Sequence, residues 1–112
     1  MIAGLMVMAA ASVAQLPAPI EHDMRCLAAL AVVTGSSKDT EYQAEMAKAG
    51  YFFMGKISVQ DPDLDIGPHL RRILLEPGFG KVYQTVSTTC LAEVETARLK
   101  MAKAGEDLKK GP

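Results

Sequence analysis

The segment EHDMRCLAALAVVT, residues 21–34, decides the fold of this chain. Its apolar residues recur every three or four positions, which is the spacing of one face of an α-helix. Glu21 and Asp23 stand in the first turn, where carboxylates suit the helix dipole, and Gly35 is a typical helix stop. We therefore predict a helix over residues 20–34. Its core stripe comprises Met24, Leu27, Ala28, Ala31 and Thr34, widened by Leu30 and Val33.

The same spacing continues along the chain and is punctuated by Gly, Pro and Asp. A second helix is predicted over residues 38–59, where Gly50 and Gly55 are expected to mark close helix approach or a bend. A third helix begins near residue 63 or 65 and ends at Glu76-Pro77-Gly78, because the residue before proline leaves the α region. The predicted stripes of these two helices are Tyr42, Met46, Ala49, Phe53 and Ile57, then Leu64, Ile66, Leu70, Ile73 and Leu74.

The last segment carries apolar residues at steps of three and four over about 30 positions. Val86-Ser87-Thr88-Thr89 interrupts it with β-branched and hydroxyl side chains, which weaken a helix and offer an N-cap. We therefore predict a short helix over residues 79–86 and a longer one over residues 88–109, rather than a single helix. No segment alternates with a period of two, so the predicted fold is all-α, a small bundle of four to five helices.

Length and charge limit the class of protein. The chain has 112 residues, enough for one domain, and its 12 basic and 13 acidic side chains give a net charge of −1. This mixture of signs argues against a nucleic-acid partner, because such proteins gain affinity by neutralising phosphates. Hydrophobic residues make up 49% of the chain, which is too many for a disordered protein.

The N-terminal segment MIAGLMVMAAASVA, residues 1–14, is almost wholly apolar. Ser12-Val13-Ala14 offers small residues at the −3 and −1 positions of a signal-peptidase site, so we predict a cleaved signal peptide over residues 1–14. An uncleaved membrane anchor and a buried N-terminal helix are the alternatives. A spanning helix needs about 20 apolar residues, and Gln15 and two prolines interrupt this run. The predicted mature protein is one helical domain over residues 15–112, periplasmic or secreted.

Cys26 and Cys90 are the two cysteines of the chain. An even count in a small exported protein predicts one disulfide, which here joins the first helix to the last. The bond would close a loop of about 65 residues and contribute at most about 4 kcal/mol through loop-closure entropy. The alternative is two buried free thiols that act as small apolar residues. A Cys-x-x-Cys motif is missing, which argues against a thioredoxin-type redox site and c-type haem attachment.

The polar residues form no recognisable catalytic or metal-binding motif. Asp61-Pro62-Asp63-Leu64-Asp65 opens like an EF-hand loop but lacks the Gly and the bidentate Glu that follow in one. His22 and His69 lack the partner spacing of a zinc site, and Met24 fits the core stripe better than it fits a copper site beside His22. A nucleophile elbow and a phosphate-binding loop are also missing. We therefore expect a protein that is not an enzyme and that has no metal or cofactor.

Tyr51-Phe52-Phe53-Met54 is the densest aromatic cluster of the sequence. At 100° per residue, four consecutive side chains spread over most of the helix surface, so one neighbouring helix cannot bury all of them. Phe53 belongs to the core stripe of the second helix. One interpretation is core packing, and the other is an exposed apolar surface that binds another protein or an identical chain.

The order of these segments resembles a known group of proteins. Arg25-Cys26-Leu27-Ala28-Ala29-Leu30 opens a helix, YFFMGKI follows at residues 51–57, then Asp63-Leu64-Asp65, and Cys90-Leu91-Ala92-Glu93 begins a final helix. This pattern is similar to small, exported, two-cysteine helical proteins of alphaproteobacteria, a group without an assigned function. A second likeness, in layout, is to periplasmic acid-stress chaperones, which are small helical proteins with one disulfide between an early and a late helix. Neither likeness supplies catalytic residues.

These observations predict a periplasmic or secreted protein-interaction or chaperone-like helper. Below about pH 3 the carboxylates are neutral while the Lys, Arg and His residues stay charged, which leaves a net charge of roughly +14. Self-repulsion would then expose apolar faces while the disulfide limits expansion. The alternative is a carrier that holds a small apolar ligand between helices near Phe52 and Phe53. A membrane partner is expected only if the leader is uncleaved.

Overall fold

The computed structural model describes residues 15–112, which form four α-helices and no strand. α1 spans Ala18–Ser36, α2 spans Thr40–Gln60, α3 spans Ile66–Leu74 and α4 spans Phe79–Lys109. The predicted all-α bundle is therefore confirmed, with four helices. The predicted signal peptide lies outside the described residues.

Capping and turn residues set where the helices begin. The Asp39 carboxylate accepts hydrogen bonds from the backbone N–H groups of Glu41 and Tyr42, at 3.0 and 3.3 Å, and so caps α2. Pro19 lies in the first turn of α1, where a backbone N–H has no intrahelical acceptor to lose. Gly78 precedes α4 with a φ of 89°, a left-handed conformation that favours glycine.

α4 is one uninterrupted helix of 31 residues, so the predicted break between residues 86 and 88 is wrong. The Ser87 and Thr88 hydroxyls donate to the Gln84 carbonyl at 2.8 and 3.0 Å, and the Thr89 hydroxyl donates to the Thr85 carbonyl at 3.2 Å. The hydroxyl groups therefore bond to the preceding turn instead of capping a new helix. Packing against α1 then outweighs the weak helix propensity of this segment.

α1 is the central helix and packs against each of the other three. Two clusters of buried side chains surround it. One unites α1 with the end of α2, with α3 and with the start of α4, and the other unites α1 with α2 and the middle of α4. The first cluster comprises Ile20, Met24, Ala28, Ala29, Ile57, Ile73 and Phe79. The second comprises Cys26, Leu30, Met46, Ala49, Phe53 and Cys90.

The predicted core residues in the middle of each stripe are buried, whereas some at the edges of the stripes are exposed. Met24, Phe53, Ile57 and Ile73 are at most 1% exposed, whereas Ala31, Tyr42 and Leu74 are exposed. Each predicted stripe is wider than the strip of helix surface that a neighbouring helix covers. The residues at the edge of a stripe therefore stay in contact with solvent.

The predicted disulfide is confirmed. Cys26 of α1 and Cys90 of α4 are bonded, with their Cα atoms 5.6 Å apart, and each residue is 1% exposed. The bond joins the first described helix to the last across 64 positions of sequence.

None of the four helices is long and apolar enough to span a bilayer.

We expect Gly55→Ala to stabilise the protein by about 0.5–1 kcal/mol, because Ala has the higher helix propensity. Gly55 lies inside α2, and nothing stands within 4 Å of the Cβ that the change would add. The expectation of close helix approach at Gly55 is therefore wrong. Urea denaturation measures the change in unfolding free energy.

Gly78→Ala is the matched control. Its positive φ should make the same substitution destabilising, by about 1–2 kcal/mol. Similar effects at the two positions would contradict this explanation, since the two sites differ in backbone conformation and not in free space.

Candidate functional site

An apolar groove of about 440 Å³ lies between α1 and α2. Both helices contribute residues at steps of three and four, so each presents one continuous face to the groove. The lining residues of α1 are Leu27, Leu30, Ala31, Thr34 and Gly35, and those of α2 are Met46, Ala47, Gly50, Tyr51 and Met54.

Small residues on both helices create the space. Ala31, Ala47 and Gly50 have little or no side chain, so they leave room that larger residues would fill. A Cβ atom added at Gly50 would lie 3.7 Å from Cδ1 of Leu27, an ordinary van der Waals contact, so the groove does not depend on a backbone contact that only glycine allows. Tyr51, which lines the groove from α2, is 75% exposed.

The groove can bind apolar groups by removing them from water. Its lining has two side-chain hydroxyls, those of Thr34 and Tyr51, and the Thr34 hydroxyl already donates to the Leu30 carbonyl at 2.7 Å. Met46 and Met54 are flexible and polarisable, so the lining can adapt to ligands of different shape. The site therefore favours apolar contact over directional recognition.

The predicted aromatic cluster is divided between the groove and the core. Tyr51 and Met54 line the groove, whereas Phe53 is fully buried in the core. Phe52 is half-buried and meets the Phe53 ring edge to face, with ring centroids 5.1 Å apart. The prediction of a single binding surface made of all four residues is therefore wrong, because consecutive residues of a helix point in different directions.

A second feature, missed by the sequence analysis, is a buried carboxylate. Asp23 is 1% exposed, lies 3.0 Å from Lys56 Nζ and accepts a hydrogen bond from Gln60 at 3.0 Å. Lys56 also lies 3.3 Å from Glu93 of α4, so these charges join α1, α2 and α4. The position of Asp23, three residues after Ile20 and beside Met24, was the available signal that it faces the core.

The charges of this cluster favour one another. Burial lowers the pKa of Lys56, but hydrogen bonds to Asp23 and Glu93 outweigh it and raise that pKa above its ordinary value. Burial also raises the pKa of Glu93, yet bonds with His22 and Lys56 hold it below its usual range. Lys56 additionally lies over the Phe52 and Phe53 rings, with Nζ 5.5 Å from each centroid. The contacts among Asp23, Lys56 and Glu93 therefore set the relative positions of α1, α2 and α4.

Two Arg–Glu pairs hold α3 and the following turn against α1. Arg72 donates to both carboxylate oxygens of Glu21, at 2.7 and 3.1 Å. Arg25 donates to both oxygens of Glu76, at 2.5 and 3.0 Å. The hydrogen bond from each Arg is the main cause that lowers the pKa of its Glu partner.

One group of side chains has the proximity of a metal site. The ligand atoms of His22, Cys26 and Glu93 lie within 4.8 Å of one another. Cys26, however, is bonded to Cys90, which leaves two donors where a zinc site needs at least three. Met24 lies in the core, and His69 is buried with its Nδ1 3.2 Å from Arg72.

Comparison of the chain with protein-family models, with curated proteins and with solved structures finds no match in any of the three. The geometry therefore carries the functional argument. In the described part of the chain, that geometry is an apolar groove between α1 and α2, beside the disulfide and the ion pairs that join α1 to the other helices.

We expect the protein to lose stability as the pH falls below about 4.5, the ordinary pKa of Glu. Glu21, Glu76 and Glu93 have lowered pKa values in the folded state, so their charged forms stabilise it. That contribution is complete above the unfolded-state pKa and is lost as pH falls through the folded-state pKa. Urea midpoints measured from pH 7 to pH 3 test this.

The Glu76→Gln variant sharpens this test. It should be less stable than the wild type at pH 7 and should lose less stability between pH 5 and pH 3. Glu106→Gln, at an exposed position near the end of α4, is the control and should follow the wild type. An unchanged acid profile in Glu76→Gln would show that the Arg25 pair is not a source of the pH dependence.

Proposed function

We propose that this protein is an exported helical helper that binds an apolar segment of a partner polypeptide in the groove between α1 and α2. The groove is the observation that carries the proposal. Its volume of about 440 Å³ falls in the range of about 300–1,000 Å³ that is typical of ligand sites. Its lining is apolar on both helices, so burial of a partner's side chains would supply the affinity.

The open side of the groove favours a polypeptide over an enclosed small molecule. Ala31, Ala47 and Tyr51 line the groove and are all exposed, so a bound group would keep one side in solvent. A small-molecule site buries about 70–90% of its ligand, whereas an amphipathic helix lays only one face into a groove. Tyr is also enriched at protein interfaces, because it offers a large contact area with few rotatable bonds.

The ion pairs are consistent with a chaperone-like role in acid. Protonation of Glu21 and Glu76 would break their bonds to Arg72 and Arg25, which hold α3 against α1. Loss of those bonds would loosen the first core cluster, while the Cys26–Cys90 bond keeps α1 and α4 together. Of the two resemblances, the likeness in layout to acid-stress chaperones points to the same role, whereas the likeness to exported two-cysteine helical proteins concerns the fold and the disulfide.

The second candidate is a carrier of a small apolar ligand, and the volume of the groove favours it. A fatty acid or a small aromatic compound would fit the same residues. This candidate differs from the first in one measurable respect, since the ligand would purify with the protein and would be detected by mass spectrometry of a solvent extract.

We expect Ala47→Arg to weaken the binding of a Leu-rich amphipathic peptide by at least about tenfold, because it places a charge in an apolar groove. Ala44→Arg is the matched control, since Ala44 is exposed on the same helix and does not line the groove. Methyl NMR of labelled methionines reports the position of binding. Met46 and Met54 should shift on titration, and Met101, outside the groove, should not.

Each result of this titration distinguishes the candidates. Shifts with the peptide that vanish in Ala47→Arg support the proposed helper. Shifts with a fatty acid alone support the carrier. If neither probe moves Met46 or Met54, the groove is not a binding site and the proposed function is wrong.

Export has a test of its own. We expect the protein isolated from its native host to begin at Gln15, and Cys26 and Cys90 to react with an alkylating reagent only after reduction. Intact-mass spectrometry with and without a reductant measures both. A full-length mass with two freely alkylated thiols would contradict export, because disulfides persist in oxidising compartments.

A further inference from the structure

The apolar stripe that fastens α4 to the bundle continues past the end of the bundle. Its covered part consists of Tyr83, Ser87, Cys90 and Val94, which are buried or half-buried. Its continuation keeps the same alternating steps of four and three, which is the heptad pattern of paired helices. The continuation comprises Ala97, Met101, Ala104 and Leu108.

Beyond Ala97, which is half-buried, the side chains of this continuation are exposed in the described chain. Met101 is 74% exposed and Leu108 is 82% exposed, and every residue from 98 to 109 except Gly105 is exposed. These residues, which we call the α4 tail, extend about 18 Å along the helix axis. The tail therefore has the pattern of a paired helix and, in the described chain, no partner.

We propose that the α4 tail pairs, antiparallel, with the same tail of a second copy of this chain. In this arrangement Met101 lies opposite Ala104 of the second copy and Leu108 lies opposite Ala97, by two-fold symmetry. A large residue meets a small one at each level, so the helices can approach closely. The pairing lies on α4 and leaves the groove between α1 and α2 free, so it is independent of the proposed function.

The position of the bundle on α4 favours the antiparallel over the parallel orientation. In a parallel pair, the helix of the second copy would continue along the covered part of the stripe, where α1 is already bonded to Cys90. In the antiparallel pair, the tip of each tail reaches Ala97 of the other copy and ends there. The two bundles then lie at opposite ends of the paired tails.

The charges beside the stripe favour the same orientation. Lys100 and Asp107 each directly precede a large apolar residue of the stripe, Met101 and Leu108. Both therefore occupy the g position of the heptad. In an antiparallel pair, the g positions of the two helices face each other. Lys100 of one copy therefore meets Asp107 of the other, twice in each dimer. A parallel pair would set Lys100 opposite Gly105 instead. Asp107 also lies 3.6 Å from Lys103 of its own helix, an exposed pair that contributes little.

Sedimentation equilibrium over a range of protein concentrations tests the proposal. We expect the wild type to dimerise and Leu108→Glu to weaken the dimer by at least about tenfold, because burial of that side chain is lost. Leu99→Glu is the matched control, since Leu99 is exposed on the opposite face of the same helix and the variant should dimerise as the wild type does. A wild type that stays monomeric, or a dimer unaffected by Leu108→Glu, would overturn the proposal.

Charge reversal tests the orientation. Lys100→Asp and Asp107→Lys should each weaken the dimer, because each sets like charges opposite one another, and the double variant should regain most of the affinity. In the antiparallel pair the two copies of residue 108 lie about 16 Å apart along the axis. Leu108→Cys should therefore not form a disulfide with itself, and efficient self-crosslinking of that variant would overturn the antiparallel arrangement.

Discussion

The Cys26–Cys90 disulfide is the constraint on which the rest of the structure depends. It fixes α1, the central helix, to the middle of α4. The core cluster around it has six buried residues, including the two cysteines and Ala49, so apolar burial there is limited. Closing a loop across 64 positions removes conformations from the unfolded chain, a contribution of about 4 kcal/mol at most. That is a large share of the stability of a domain of this size.

Ion pairs between the helices add specificity to the packing of the apolar core. Asp23 is buried with Lys56 and Gln60 as partners, so it fixes the position of α2 on α1. A buried pair of this kind contributes little net stability, but removing one partner leaves an uncompensated charge. The ion pairs of Glu21, Glu76 and Glu93 make the fold sensitive to acid, because they lower the pKa values of these carboxylates in the folded state.

The two surfaces proposed for binding arise in different ways. The groove exists because Ala31, Ala47 and Gly50 are too small to fill the space between α1 and α2. The α4 tail is exposed because its helix is longer than the bundle that supports it. A dimer formed through the tails would carry two grooves on bundles at opposite ends of the paired tails. Such an arrangement would let one assembly contact two segments of a partner.

The sequence by itself determined the helical class, the pairing of the two cysteines and most of the buried positions. These features follow from short-range periodicity and from there being one way to pair two cysteines. Periodicity failed where a local preference conflicted with packing. Thr88 and Thr89 predicted a break, but their hydroxyls found carbonyl partners within α4.

Only the tertiary structure decided the candidate sites. A helical stripe shows which side of a helix is apolar, but it does not show how much of that side a neighbour will cover. Phe53 and Tyr51 are two residues apart, yet one is in the core and the other beside an open groove. The burial of Asp23 also depends on Lys56 and Gln60, which lie more than 30 positions away. Contacts between distant residues set these properties, and local sequence patterns do not contain them.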